Sequence, residues 1–351
     1  MNSWRDNVRK VEPYTPGEQP KEEGVIKLNT NENPYPPSDK IKKAMSGIKN
    51  LRKYPDPAAT KLVEAIASYH GFDKEEVFVG VGSDDVLAVA FMTFFNGKKP
   101  IFFPDITYSF YPVWAELFGI PYEKKAVNDA FEIQKEDYYA ENGGVVFPNP
   151  NAPTGAFLSL EVVKDIIQHN QDVVVIVDEA YIDFGGDTAK ELTRKYDNVL
   201  VVQTYSKSRS LAGLRIGYAI GNKELIKAMN DVKYSYNSYT MNEPSIVLGT
   251  AVLEDEEYFQ ETRNKIIDTR EWFQTEMRKI GFSFADSKAN FIFATHESVP
   301  AKEIFEAAKK AKIYVRYFDQ PRINNYLRIT IGTREEMETL LDFLKEFTAT
   351  K

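Results

Sequence analysis

The sequence predicts an α/β fold, a mostly parallel sheet covered by helices on both faces, followed by a smaller α+β unit. Three observations carry this. From about residue 40 to 245, short β-branched runs alternate with helical patterns, as β-α-β units do. Two of those runs, 173–177 and 199–202, are apolar at every position, which marks strands buried on both faces. The length, 351 residues, is enough for about two domains with substantial cores.

Taken in order, the opening 40 residues are rich in Pro, Asn, Glu and Lys with little periodicity, and read as an extended arm. Residues 77–81 form a strand that runs through Gly80 and Gly82 into an apolar helix from about Val86 to Phe95. Ser83 and Asp84 at its start read as an N-cap with dipole compensation, and free amides there also bind phosphate. A dinucleotide fingerprint is absent, because Asp85 stands where a third glycine or alanine belongs. The strand 173–177 ends at Asp178, Glu179, Ala180 and Tyr181, and the strand 199–202 ends at Thr204, Ser206 and Lys207. A charged, Leu/Ile/Phe-spaced stretch from Glu243 through Ile280 predicts a long helix with Gly281 as C-cap. Strands near 290–293, 313–317 and 326–331 and a closing helix over 335–347 complete the small unit. The expected division is an arm over 1–35, a large domain over 36–245 and a small domain over 246–351.

Ligands of open parallel sheets sit outside the carboxyl ends of the strands, so the clusters at Asp178 and Lys207 are expected on one rim. Taken singly, a strand-end lysine reads as a solvated flank and an Asp-Glu pair as a turn or cap. Together they suit pyridoxal 5'-phosphate. A lysine that condenses with an aldehyde must spend time as the free amine, which burial or a neighbouring cation such as Arg215 promotes. A carboxylate such as Asp178 keeps a pyridine nitrogen protonated, and Tyr181 lies where it can bond the ring's phenolic oxygen. Thr204, Ser206 and Arg215 supply hydroxyl and bidentate donors for a phosphate dianion.

Composition removes several alternatives. With no cysteine, neither disulfides nor thiolate chemistry enter. The three histidines, His70, His169 and His296, show no metal-ligand spacing, so no metal is expected, and His70 at a helix end reads as a dipole partner. A net charge of -8 without a basic block argues against nucleic acid. No run approaches the ~20 apolar residues of a membrane span, and the segment from Met1 to Asp6 lacks a signal-peptide core, so a cytoplasmic protein is expected.

These residues resemble the class I and II aminotransferases of the pyridoxal-phosphate fold type I, whose signature pairs a Ser-Lys with an Arg eight residues later, here Ser206, Lys207 and Arg215. The likeness spans nearly the whole chain. It implies that Tyr54, in Tyr54-Pro55-Asp56-Pro57, reaches the cofactor phosphate of a neighbouring subunit, hence a homodimer with shared sites. It implies that Gly82, Ser83 and Asp84 bind the cofactor and that Tyr108 stacks on its ring, although Tyr108 taken alone reads as core. In Asn149-Pro150-Asn151-Ala152-Pro153-Thr154-Gly155 alanine occupies the place where the family carries asparagine; either Asn151 supplies that amide or Tyr181 holds the phenolic oxygen alone.

The two ends of the chain, Glu12-Pro13-Tyr14 with residues 28–34 and the segment 327–336, resemble the histidinol-phosphate aminotransferase family. That likeness implies substrate binding by Tyr14, Asn31, Arg316 and Arg328, with glutamate/2-oxoglutarate and histidinol phosphate as the small-molecule partners. Taken alone, Arg316 reads as a surface salt-bridge partner, whereas Arg328 alternates with Leu327 and Ile329 and so faces away from them. Aromatic aminotransferases and threonine-phosphate decarboxylases of this fold share nearly every motif. A cofactor-binding regulator would need an appended DNA-binding module, and no basic helical extension is present.

Overall fold

The computed structural model describes residues 4–49 and 51–351; Met1, Asn2 and Ser3, part of the segment read for a signal peptide, lie outside the described residues. After a 3₁₀ turn (Trp4–Asn7) the chain runs irregularly to β1 (Ile26–Lys27), α1 (Asp39–Ser46) and α2 (Thr60–His70). A seven-stranded sheet follows, built from β2 (Val77–Val81), β3 (Ile101–Pro104), β4 (Tyr122–Lys125), β5 (Val145–Pro148), β6 (Val175–Asp178), β7 (Val199–Thr204) and β8 (Ile216–Gly221). The order is β2-β8-β7-β6-β5-β3-β4, and only β8 runs antiparallel to its neighbours.

The apolar runs are buried on both faces, as their composition predicts. Ile176, Leu200 and Val202 pack on one side with Val86 and Phe91 of α3 (Gly82–Phe94) and Tyr111 and Trp114 of α4 (Phe110–Phe118). Val175, Val177, Val199 and Val201 pack on the other with Val163, Ile166 and Ile167 of α5 (Leu160–Gln168). At roughly 1.5–3 kcal/mol for each fully buried aliphatic side chain, these two layers fix the register of β6 on β7. That register, Asp178 beside Val202, brings both strand ends to the same rim.

After α6 (Lys223–Tyr236), the stretch predicted as one long helix is two, α7 (Glu243–Leu253) and α8 (Glu256–Lys279). The break falls at Asp255, whose backbone leaves the helical region (φ −109°, ψ 55°) and whose carboxylate pairs with Lys40 at 2.9 Å. The two helices serve different cores. Ile246, Leu248 and Val252 of α7 join Leu62 and Ile66 of α2 and Ile216 and Tyr218 of β8, so the boundary expected at 245/246 falls inside a helix packed on the large sheet. Ile266, Phe273 and Met277 of α8 belong instead to the second core. The residue closing α8 is Ile280, with Gly281 (φ +83°) next to it.

That second core lies under an antiparallel sheet, β12 (Arg316–Tyr317), β13 (Leu327–Thr330), β10 (Phe291–His296) and β9 (Phe282–Ser283), backed by α8, α9 (Ala301–Lys310) and α10 (Arg334–Ala349). β1 pairs in parallel with β11 (Ile313–Tyr314), which stitches the N-terminal arm to this unit. In the β12-β13 pairing Arg316 stands opposite Arg328.

One glycine sets how closely α3 can approach the sheet. A Cβ on Gly217 of β8 would overlap the Ser83 amide nitrogen and the Gly82 carbonyl group, both backbone atoms that cannot turn aside. Gly217→Ala should therefore destabilise the protein toward the upper end of the ~1–3 kcal/mol typical of overpacking, read as a melting temperature lowered by several degrees; an unchanged melting temperature would contradict this packing.

Candidate active site

Nine of the predicted residues line one cavity of about 110 Å³ at the rim: Ser83, Asp84, Tyr108, Asp178, Tyr181, Thr204, Ser206, Lys207 and Arg215. They arrive from four strand ends, β2, β3, β6 and β7, and from the start of β8. Lys207 Nζ donates to the Thr30 carbonyl at 3.2 Å and lies 5.7 Å from the centre of the Tyr181 ring. The arm thus supplies the resting partner of the lysine.

At one end of the cavity the donors are those an anion requires. α3 begins at Gly82, four residues earlier than the sequence suggests, so Ser83 and Asp84 lie in its first turn with amides free for an anion. Gly82 takes a left-handed φ of +82° that strains any other residue, and a Cβ there would also push the Arg215 guanidinium out of place. The acid that bonds back to the chain is Asp85, accepting from the Val81 N–H at 2.8 Å. The Asp84 carboxylate instead accepts from Arg215 Nη2 at 3.0 Å and from the Tyr108 hydroxyl at 2.6 Å. Its carboxylate would repel a phosphate, so Asp84 can serve one through its amide and by orienting Arg215. Arg215 Nη1 is 3.4 Å from Ser206 Oγ, which in turn is 3.0 Å from Thr204 Oγ1. Ser83, Ser206, Thr204 and Arg215 therefore form a cradle that fits a phosphate monoester.

At the other end Asp178 is buried at 4% exposure. Its Oδ2 accepts from the Tyr111 hydroxyl at 2.8 Å, and its Oδ1 from the Ala180 N–H at 3.3 Å. Burial pushes the Asp178 carboxyl up to about 6; those two donors oppose the rise and the charge of Asp84 adds to it. A buried carboxyl held at that value and facing a cavity fits a cationic ring nitrogen, which would return it to the ionised form. The Tyr181 hydroxyl accepts from Asn31 Nδ2 at 2.9 Å, and its ring stands edge-on to Phe291.

A second cavity of about 160 Å³ adjoins the first through Tyr108, Ala152, Tyr181 and Lys207, and adds Tyr14, Asn31, Arg316 and Arg328. Tyr14 is held there by stacking on Phe110 at 4.2 Å. Arg328 faces away from the core as strand alternation predicts. Its Nη2 donates to the Asn29 carbonyl at 2.9 Å, while its enclosed Nε has no partner. Burial pulls its pKa down from the usual arginine value, a nearby tyrosine hydroxyl opposes this, and the charge of Arg316 reinforces it. Among the described residues no carboxylate pairs with Arg316 or Arg328, so the surface-pair reading of Arg316 fails. Two adjacent cations without an anion make a site for an anionic ligand group.

Asn151 is not brought to the cavity. Its Nδ2 is committed to the Ile106 carbonyl and Thr154 Oγ1, both at 2.9 Å, and its Oδ1 accepts from Thr107 at 3.0 Å. Asn151 therefore shapes the turn, and the apolar Ala152 lines the wall. Of the two residues named for a phenolic oxygen, Tyr181 lines the cavity and Asn151 does not. Tyr54 is also outside the cavity, 82% exposed and packed on Tyr239 at 4.7 Å. His70 is no dipole partner, since burial pushes its pKa down to about 3 and its ring bonds Tyr218 and Lys190 instead. Sequence reasoning missed Tyr111 and Thr30; Tyr108 precedes α4 while Tyr111 lies in its first turn, so no helical spacing links the two in the sequence.

The pattern of the family described as Aminotransferase class I and II matches residues 23–344. The chain belongs to that family. It is 52% identical over 344 residues to histidinol-phosphate aminotransferase of Clostridium beijerinckii, covering 97% of this chain and 96% of that one. Identity is 50% over 351 residues to the enzyme of the same name from Lactococcus lactis subsp. cremoris, covering 99% of each. The fold matches the crystal structure of histidinol-phosphate aminotransferase from Sinorhizobium meliloti in complex with pyridoxal-5'-phosphate, with a TM-score of 0.84, 21% identity and coverage of 93% and 91%.

The state of Asp178 gives a stability prediction for the protein without ligand. Its folded pKa, about 6, lies above the ordinary 3.8, so the stability it carries is complete below about pH 4 and is lost as pH rises through about 6. Ionised without a neighbouring cation, it costs the fold on the order of 3 kcal/mol. Asp178→Asn should therefore melt higher than wild type at pH 8 and with little difference at pH 4; a gap of the same size at both pH values would rule this out.

Proposed function

We propose that this chain is a pyridoxal-phosphate-dependent transaminase that exchanges an amino group between L-histidinol phosphate and 2-oxoglutarate, giving 3-(imidazol-4-yl)-2-oxopropyl phosphate and L-glutamate in histidine biosynthesis. The observation that carries it is the conjunction of Lys207 and Asp178 in one cavity with unpaired Arg316 and Arg328 in the next. The half-identical relatives of the same name support the choice of substrate.

Ser83, Asp84 through its amide, Thr204, Ser206 and Arg215 would hold the cofactor phosphate beside Gly82, with Tyr54 of a second subunit reaching in. Tyr108 would stack on the ring, Asp178 would pair with its nitrogen and Tyr181 would bond its phenolic oxygen. When bound, the cofactor supplies an aldehyde and an electron-withdrawing ring. Lys207 Nζ is the amine that would hold that aldehyde. With substrate bound, the free Lys207 amine would take the proton from the reacting substrate carbon and give it to the carbon that carried the aldehyde. Asn31 keeps Tyr181 oriented, and the Thr30 carbonyl keeps Lys207 near its working position. Arg328, with Arg316 and Tyr14, binds the carboxylate of glutamate in one half-reaction and the phosphate of histidinol phosphate in the other. A planar guanidinium can make two parallel charge-assisted hydrogen bonds to either group.

The same reading makes the protein a cytoplasmic homodimer with an arm, a large and a small domain. Leu51, Tyr54, Tyr236 and Tyr239 are exposed at 69%, 82%, 68% and 46%, an apolar concentration suited to a second subunit. No helix among the described residues is long and apolar enough to cross a membrane.

The deciding experiment offers the yellow protein histidinol phosphate, phenylalanine and threonine phosphate separately, each with 2-oxoglutarate, and follows glutamate and carbon dioxide. Glutamate from histidinol phosphate is expected; preference for phenylalanine, or carbon dioxide from threonine phosphate, would assign another member of the fold. Lys207→Ala should bind cofactor and lose turnover by orders of magnitude, and normal turnover would exclude its role. Mixing inactive Lys207→Ala with impaired Tyr54→Phe subunits should restore part of the activity through hybrid dimers, whereas unshared sites would restore none.

A further inference from the structure

The carboxylate assigned to the ring nitrogen has a side-chain partner that no sequence motif announces. Tyr111 lies in the first turn of α4, three residues after Tyr108 and fully buried. Phe91, Phe103, Tyr108 and Trp114 surround its ring at centroid distances of 6.2, 5.8, 5.8 and 6.3 Å. The hydroxyl emerges from this aromatic packing at Asp178 Oδ2, 2.8 Å away. The other donor to Asp178, the Ala180 N–H at 3.3 Å, is long, so Tyr111 is the strong one.

We propose that Tyr111 is a positioning residue for transamination: its hydroxyl orients Asp178 and holds it ionised, leaving the second carboxylate oxygen to keep a proton on the pyridine nitrogen. This rests on the cofactor reading above. A buried phenol suits the task because burial and the charge of Asp178 raise its own pKa well above the usual value, so it donates at every working pH. A buried carboxylate without such a donor favours its neutral form, and a neutral acid cannot stabilise a pyridinium. The rings of Tyr111 and Tyr108 meet edge-on at 5.8 Å, so one short segment both stacks on the ring and sets the charge beneath its nitrogen. The groups facing Asp178 from the surrounding elements are Asp84 of α3, Tyr108, Tyr181 after β6, Lys207 after β7 and Arg215 before β8. Among these Asp84 has the same sign as Asp178, which increases the need for a donor.

The test compares binding of pyridoxal phosphate with binding of its analogue carrying CH in place of the ring nitrogen, using cofactor-free wild type and Tyr111→Phe. Wild type should prefer the nitrogen compound. Tyr111→Phe should lose about tenfold of that preference, the scale of one hydrogen bond to a charged group, while binding the analogue within about twofold of wild type. An undiminished preference in Tyr111→Phe, or equal losses for both compounds, would overturn the proposal. Infrared titration of the cofactor-free proteins gives an independent readout: the protonated-carboxyl band missing in Asp178→Asn should persist to higher pH in Tyr111→Phe, and an unmoved band would equally overturn it. Should Tyr111→Phe fail to fold, 3-fluorotyrosine at position 111, a stronger donor of the same shape, should increase the preference, and no increase refutes the role. Wild type that binds neither compound would overturn the cofactor reading along with this one.

Discussion

The parallel pairing of β6 on β7 is the constraint on which the site depends. Asp178 and Lys207 are 29 positions apart in sequence and meet only because two strands, each buried on both faces, run side by side in one direction. A slip of one residue would send Ile176 and Leu200 to the face now held by Val175 and Val199, so two cores oppose it at once. The antiparallel β8 then returns the chain so that Arg215 starts at the same rim. Gly217 lets α3 lie directly on that strand, which is why the first-turn amides and the guanidinium converge.

Charge is organised against the average. The protein is acidic overall, yet the second cavity carries Arg316 and Arg328 without a carboxylate between them. Such an arrangement costs stability, since a buried guanidinium whose enclosed Nε has no protein partner is shielded from bulk solvent without a compensating hydrogen bond. The same deficit favours binding of an anionic group. Asp178 is the mirror case, an acid burdened by burial until a cation meets it. Both arrangements carry a cost in stability of the kind expected where residues serve a function.

The sequence discloses those parts of this design that depend on strand ends and turn residues. The runs 173–177 and 199–202 announce their burial by composition alone, and Asp178, Lys207 and Arg215 follow as the polar groups that end or begin such runs. Other features depend on contacts between distant segments. Asn151 has the right chemistry one place from the usual position, but its amide is captured by Ile106 and Thr154, a competition invisible in the order of residues. The break at Asp255 follows from two helices serving two cores, which periodicity within the stretch does not register. His70 ends a helix as predicted, yet burial removes the charge that a dipole partner would need.

The arm shows how the second unit acts on the first. β1 is the parallel partner of β11, and the residues just beyond it place the Thr30 carbonyl on Lys207 and Asn31 on Tyr181. Asn31 takes a positive φ of 56°, and its conformation is secured by Thr330, which donates to its side-chain oxygen and accepts from its backbone N–H, each at 3.0 Å. Arg328, two residues before Thr330, holds the Asn29 carbonyl. The strand that carries Arg328 is thus also the strand that fixes the loop touching the lysine. Displacement of Arg328 from the Asn29 carbonyl would therefore be felt first in the segment that orients Lys207 and Tyr181.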